Sequence, residues 1–203
     1  MISKLGFKKG RIIECIVTTY NENGRPNAAP MGVYAVGKRG LILKVHLDCD
    51  TYSNIIRNKG CVINLIYDPL LFLKTTLIGR GRGGEEPEVE ASEVGKARMV
   101  QAPFIKSSQA YLEVRLKYQR EYVKVDDYKI SEVSMMKCKV VREVIKRKHP
   151  MGFNRGLGAA VELAIKLSRG QKEDCEEYLS IMQRTMSRED YDKINTFLKP
   201  YIH

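Results

Sequence analysis

The residues best suited to chemistry lie between Asn27 and Asn64, where NAAPMGVYAV, GLILKVHLD, DTYSNIIRN and CVINLIYDP follow one another. The first run opens with small residues and carries Pro30 inside a strand pattern. Proline supplies no ladder donor and belongs at an edge or a bulge. Such a strand leaves bare backbone against which a flat ring can lie, which makes Ala29, Pro30, Met31 and Gly32 candidates for a ring platform. Further on, Thr51-Tyr52-Ser53-Asn54 stands where a strand gives way to a helix. Hydroxyl and amide side chains meet the free N–H groups of a first helical turn there, and that combination accommodates a phosphate. A ring platform beside a phosphate pocket suits a mononucleotide such as FMN.

The elements around these residues read as an antiparallel meander. RIIECIVTTY is a β-branched strand, and Asn23-Gly24 within NENGRP is a hairpin signal. A second strand covers residues 27–36, GKRG turns the chain, and a third covers 41–46. A short helix over 51–58 ends on Lys59-Gly60, a basic last turn with a C-terminal glycine. The fourth strand, 61–67, is apolar on both faces except for Asn64. A buried amide left unsatisfied costs roughly 1–3 kcal/mol, so Asn64 needs either a neighbouring loop or a ligand. Asp68-Pro69 starts a turn or short helix. The glycines of GRGRGGEEPEVE (79–90) suggest a phosphate loop, but no apolar helix follows and the acids repel phosphate, so a surface loop is predicted. From residue 110 to 123, Leu112, Val114, Leu116 and Tyr118 alternate with Glu113, Arg115 and Lys117, as in a half-exposed strand. A last strand spans 131–145. Six strands with a helix after the third predict a mainly β (α+β) fold, a small antiparallel closed or split barrel.

Beyond His149-Pro150 the period becomes helical. Leu157, Ala160, Val161, Ala164, Ile165 and Ser168 share one face, with Asn154 as the cap and Gly170 as the stop. A second helix carries Cys175, Tyr178, Leu179, Met182 and Met186. A third starts at Ser187, in capping-box relation to Asp190, and closes at Pro200. The chain therefore divides into a barrel domain, 1–148, and a helical C-terminal subdomain, 149–203, whose apolar stripes serve a core or a subunit interface.

A length of 203 residues with 43% apolar content and a mean hydropathy of −0.32 describes a globular chain. No run approaches the ~18 apolar residues of a membrane span, and the N-terminus lacks the apolar segment of a signal peptide. Five cysteines without a C-x-x-C and three scattered histidines exclude a metal motif and place the chain in a reducing cytoplasm. The formal charge of +11 favours anionic partners.

With the strands in place, TTYNENGRPNAAPMGV, DTYSNI and VINLIYDP together resemble the FMN-binding split-barrel proteins, in particular the flavin-reductase branch. FNRGLGAAVELAIKLSR, residues 153–169, resembles the second signature of an archaeal family of unknown function that adds a helical segment to this fold. The resemblance implies a six-stranded split barrel, a homodimer, and FMN at the subunit interface. It implies that Ala29, Pro30, Met31 and Gly32 lie along the flavin ring, that Thr51, Tyr52 and Asn54 hold the phosphate or ribityl chain, and that Asn64 supports the ring or its turn. Asn154 and Arg155 join as second-tier candidates, Arg155 through pairing with a phosphate or substrate anion. Each has a plainer role open to it: helix capping for Thr51, a bulge for Gly32, packing for Met31, a salt bridge for Arg155. Asp50 departs from the pattern, because its carboxylate must point away from a phosphate or leave the dianion to a cation such as Arg57 or Lys59.

The implied activity is that of an FMN-dependent oxidoreductase, with NAD(P)H the default donor. A flavin-binding carrier without turnover has the same sequence features. A basic barrel binding nucleic acid through Tyr111, Tyr118 and Tyr122 with Arg115, Lys117 and Arg120 is the least favoured reading, because any exposed strand shows that alternation.

Overall fold

Two tight turns set the register of the first three strands. The computed structural model describes residues 2–78, 87–125, 130–150, 152–168, 171 and 173–202. Strands β1 (Ile12–Tyr20) and β2 (Pro26–Val36) meet at Asn23-Gly24, where Gly24 takes φ +78° and Asn23 Oδ1 accepts from the Arg25 N–H at 3.0 Å. That turn places Thr19 opposite Asn27 and Glu14 opposite Gly32. Gly37, at φ +66°, turns the chain into β3 (Gly40–His46). Helix α1 (Asp50–Asn58), β4 (Gly60–Leu65) and helix α2 (Pro69–Leu77) follow, and Asp68 caps α2 by accepting from the Leu71 N–H. Short strands β5 (Val94–Lys96) and β6 (Pro103–Ile105) form a separate two-stranded sheet. The long strands β7 (Ala110–Val125) and β8 (Ile130–Ile145) close a six-stranded antiparallel barrel in the order β1-β2-β3-β8-β7-β4. This is the barrel the alternation predicts. Most of the glycine-rich loop, residues 79–86, lies outside the described residues.

Alternation fills the barrel with side chains such as Ile13, Val17, Val33, Leu43, Ile63 and Met136, and Ile55 of α1 packs against them. Cys15, Cys61 and Cys138 belong to this core as small hydrophobes, and burial pushes their thiols up, that of Cys138 to about 12. They are not thiolates at neutral pH.

The helix after β3 ends differently from its prediction. Lys59, not Gly60, takes the left-handed position (φ 54°), and Gly60 begins β4, where an added Cβ would lie 2.7 Å from the Val114 carbonyl oxygen. The glycine answers a close approach of two strands rather than a helix stop.

Strand β7 is not half-exposed along its first half. Glu113 is buried, because the β5–β6 sheet, which has no long periodic signal of its own, folds over it. Its carboxylate accepts from the Met99 N–H at 2.5 Å, the Arg98 N–H at 3.3 Å and Arg142 Nη1 at 2.7 Å. Tyr111 is buried in the same place, stacked on Phe104 with ring centroids 4.4 Å apart. It therefore cannot belong to an exposed nucleic-acid groove.

Helices α3 (Arg155–Ser168), α4 (Cys175–Thr185) and α5 (Arg188–Ile202) pack as a group around Ala159, Leu163, Cys175, Met182 and Met186. The face of α3 turned inward is not the one the spacing selects. Leu157 and Val161 are 47% and 58% exposed, while Ala159 and Leu163 are buried. The helix carries two apolar stripes, and Gly156, whose Cβ would meet Met186 Cγ at 2.6 Å, brings the second one against α4. Ser187 caps α5 by accepting from the Asp190 N–H, and α5 continues through Pro200 to Ile202. Arg11 pairs with Asp190 at 2.8 Å and ties the helices back to the barrel. Among the described residues, no helix is long and apolar enough to cross a membrane.

Candidate cofactor site

Strand β2 is where the barrel opens. It pairs with β1 over its whole exposed stretch, but β3 pairs with it only over residues 33–36. Residues 26–32 consequently have a backbone edge with no strand beside it. The alternation of an antiparallel ladder points the Ala28 N–H, the Pro30 carbonyl and both Gly32 groups toward that edge. Pro30 has no N–H to leave unpaired there, which suits it to the position. On the outer face stand Ala28, Pro30 and Gly32, all small, while Met31 packs into the barrel and Ala29 shares its side. The face is shallow by construction: a Cβ on Gly32 would come within 2.6 Å of Ile12 Cγ2.

At the hairpin end of this edge lies a buried polar cluster. Thr19 and Asn27 meet across the ladder, and α1 adds Thr51 and Asn54 from its first turns, all four at 3% exposure or less. Asn27 Nδ2 donates to Thr19 Oγ1 and to Thr51 Oγ1, both at 3.1 Å. Asn54 Nδ2 donates to Thr19 Oγ1 at 3.0 Å and to Asn21 Oδ1 at 2.6 Å, and Asn54 Oδ1 accepts from Arg57 Nη2 at 2.6 Å. Thr51 does not cap α1. The helix starts one residue earlier, with Cys49 at the cap, and the Thr51 hydroxyl serves the cluster.

The other expected residues separate. Tyr52 turns away and donates to Glu121 Oε1 of β7 at 2.6 Å. Asn64 donates to the Ile16 carbonyl at 3.0 Å and to Thr18 Oγ1 at 2.9 Å, and accepts from the Ile105 N–H at 2.8 Å, fastening β4 to β1 and β6. Asn154 donates to the Ile12 and Thr185 carbonyls and accepts from the Leu157 N–H, so it caps α3 while fixing it to β1. Arg155 does reach the platform. Its Nε lies 3.0 Å from Glu14 Oε1, and Glu14 is the ladder partner of Gly32.

Two carboxylates stand near the open edge. Asp50 is exposed. Glu88 is half-buried and accepts from the Ala28 N–H at 3.3 Å. Burial raises the Glu88 carboxyl above its ordinary range, backbone hydrogen bonds offset part of this, and the Asp50 charge adds to it. A raised folded-state value means that the folded protein holds this proton more tightly. The contribution to stability is then full below the unfolded value and is lost as pH rises through the folded one. Glu88→Gln, which keeps an acceptor for Ala28, is expected to raise the urea midpoint at pH 7 and to leave it nearly unchanged at pH 4.

A family model described as protein of unknown function (DUF447), N-terminal domain, matches residues 13–147. The chain belongs to the DUF447 family. Protein MJ1453 of Methanocaldococcus jannaschii is 25% identical over 194 residues, covering 88% of this chain and 92% of that protein. Among solved structures, the FMN-bound DUF447 protein MM1853 of Methanosarcina mazei superposes with a TM-score of 0.56 at 21% identity over 98% of this chain and 99% of that one. A flavoredoxin from Methanosarcina acetivorans gives a TM-score of 0.56 at 16% identity, covering 73% and 78%. At these identities the two structural likenesses are likenesses of fold. They agree with the split-barrel architecture and extend, for MM1853, through the helical segment.

In the DUF447 chain, the tertiary structure adds Thr19, Asn27, Glu14 and Glu88 to the residues around the site. Thr19 and Asn27 were within reach of the sequence, since the Asn23-Gly24 hairpin sets them face to face. Glu14 and Glu88 arrive through contacts that no local pattern signals.

Proposed function

We propose that the chain binds FMN along the open edge of β2 and acts as an FMN-dependent oxidoreductase. The observation that carries this reading is the coincidence, on one strand, of an unpaired backbone edge, a side-chain-poor outer face and an adjoining cluster of buried hydroxyls and amides. The ring lies over Pro30 and Gly32, and the backbone from Ala29 to Met31 keeps the strand flat beneath it. The Pro30 carbonyl and the Gly32 N–H offer an acceptor and a donor to the polar edge of the ring. Thr51 and Asn54 face the ribityl and phosphate end, while Tyr52 is held away from it by Glu121. Arg57 supplies the cation that offsets Asp50, with Arg155 as the other cation within the site. Asn64 and Asn154 act through the strands and helix they hold. Bound FMN supplies the electron-transfer chemistry, and the chain supplies orientation and electrostatics. The FMN-bound state of MM1853, which shares this fold, supports the choice of mononucleotide.

The test is an absorbance spectrum of the purified protein, repeated after FMN addition and desalting. Flavin bands retained at about one per chain are the expected result; a protein that stays colourless after FMN addition rejects the reading. Steady-state NAD(P)H oxidation by the loaded protein then separates an enzyme from a carrier.

The same reading includes a pair of chains. Tyr67 and Phe153, in edge contact at 6.2 Å, continue into Leu157 and Val161 of α3, and these four side chains are between 39% and 70% exposed. A second copy covering this apolar face buries it beside Arg155. Leu157→Glu combined with Val161→Glu is expected to halve the mass seen by light scattering without loss of helical signal. An unchanged mass places the dimer contact elsewhere.

A further inference from the structure

The outer face of strands β3, β8 and β7 has a composition of its own. The ladder registers align Tyr34, Ile42, Lys137 and Tyr118 in one row across β2, β3, β8 and β7. Lys44, Met135 and Arg120 form the next row, and His46, Val133 and Tyr122 the one beyond. On the other side of the first row, Lys139 stands beside Arg115. The irregularity between Leu116 and Tyr118 keeps Leu116 in the core and turns Tyr118 and Arg120 outward. Lys44, Arg115, Tyr118, Arg120, Lys137 and Lys139 are exposed, and Tyr34 and Tyr122 are partly so. No carboxylate stands in these rows: Glu121 faces Tyr52, and Glu113 lies under the β5–β6 sheet. None of the five cations is paired with a carboxylate among the described residues.

We propose that this face binds single-stranded nucleic acid, with Tyr118, Tyr122 and Tyr34 offering rings to bases while Lys44, Lys137, Lys139, Arg115 and Arg120 hold phosphates. Neighbouring strands are ~4.8 Å apart and same-face residues ~7 Å apart along a strand, so rings and cations interleave on the scale of a nucleotide. A sheet with aromatic rings among cations is a recurrent platform for unpaired bases. An acidic protein is the other polyanion to consider. The three lysines argue against it, since lysine is depleted in protein interfaces, whereas phosphate contacts use it freely. The inference does not depend on the flavin reading.

Anisotropy of a fluorescein-labelled oligouridylate, titrated with the full chain at several salt concentrations, tests it. Expected are saturable binding at low salt and a log–log salt slope of about −3, corresponding to four or five phosphate contacts at ~0.7 each. Tyr118→Ala with Tyr122→Ala should weaken binding about a hundredfold at unchanged slope, since each stacked ring contributes about tenfold. Lys137→Gln with Lys139→Gln should make the slope shallower by about 1.4. Flat anisotropy at low salt overturns the proposal. So does polyglutamate competing as well as unlabelled oligouridylate, or tyrosine variants that bind like the parent. Those two results assign the face to acidic proteins or to plain charge attraction. Absorbance of bound FMN in the same samples reports on the cofactor separately.

Discussion

Gly32→Val is expected to leave the barrel folded and to abolish FMN retention. The substitution adds bulk to the one outer-face position of β2 that has no side chain, next to the open edge. On that face its Cβ meets Ile12 Cγ2 at 2.6 Å, the end of a half-buried side chain that can turn aside, so the structural cost is about 1–3 kcal/mol. On the outer face the added methyls stand where the ring must lie in contact with backbone. A loss of affinity of about 100-fold or more, about 2.7 kcal/mol, is expected. Far-ultraviolet circular dichroism verifies the fold, and FMN fluorescence quenching gives the affinity. If Gly32→Val binds FMN as the parent does, the ring is not on β2.

Asn64→Ala is expected to produce a large loss of stability, about 3 kcal/mol, in protein stripped of FMN. The amide is fully buried and makes three hydrogen bonds to two strands. Removing it leaves the Ile105 N–H and the Ile16 carbonyl without that partner in an apolar setting, each at a cost of about 1 kcal/mol or more, and adds a small cavity. Urea unfolding of the stripped protein measures it. The result also separates the two roles open to this residue: a stability loss without FMN present is structural, whereas an unchanged urea midpoint with weakened FMN binding makes Asn64 a direct ligand.

These two residues show how unequally the sequence spoke about the site. The open edge beside Gly32 was legible, because a proline and a run of small residues inside a strand pattern belong at an edge or a bulge. Asn64 was legible only as a buried amide in need of partners. Whether those partners were a ligand or a loop depended on β6, whose three residues carry no periodicity. Thr51 was picked out by its place at a helix start, and the structure gave its hydroxyl to Asn27 instead of to the cap. Tyr52, one residue on, points the other way along α1, as consecutive helical residues do.

By itself the sequence determined what local rules determine. The β-branched runs, the Asn23-Gly24 turn and the caps at Asp68, Asn154 and Ser187 specify strands, register and helix starts from a few neighbouring residues, and with six alternating strands the barrel follows. Only the tertiary structure decided what covers what. Glu113 reads as a solvent-facing charge until the β5–β6 sheet folds over it, and α3 carries two apolar stripes of which packing against α4 buries only one. Arg155 joins Glu14 across a sequence separation of 141 residues. Such choices depend on which surfaces meet after the elements have formed, and periodicity within one element carries no information about the element that will lie against it.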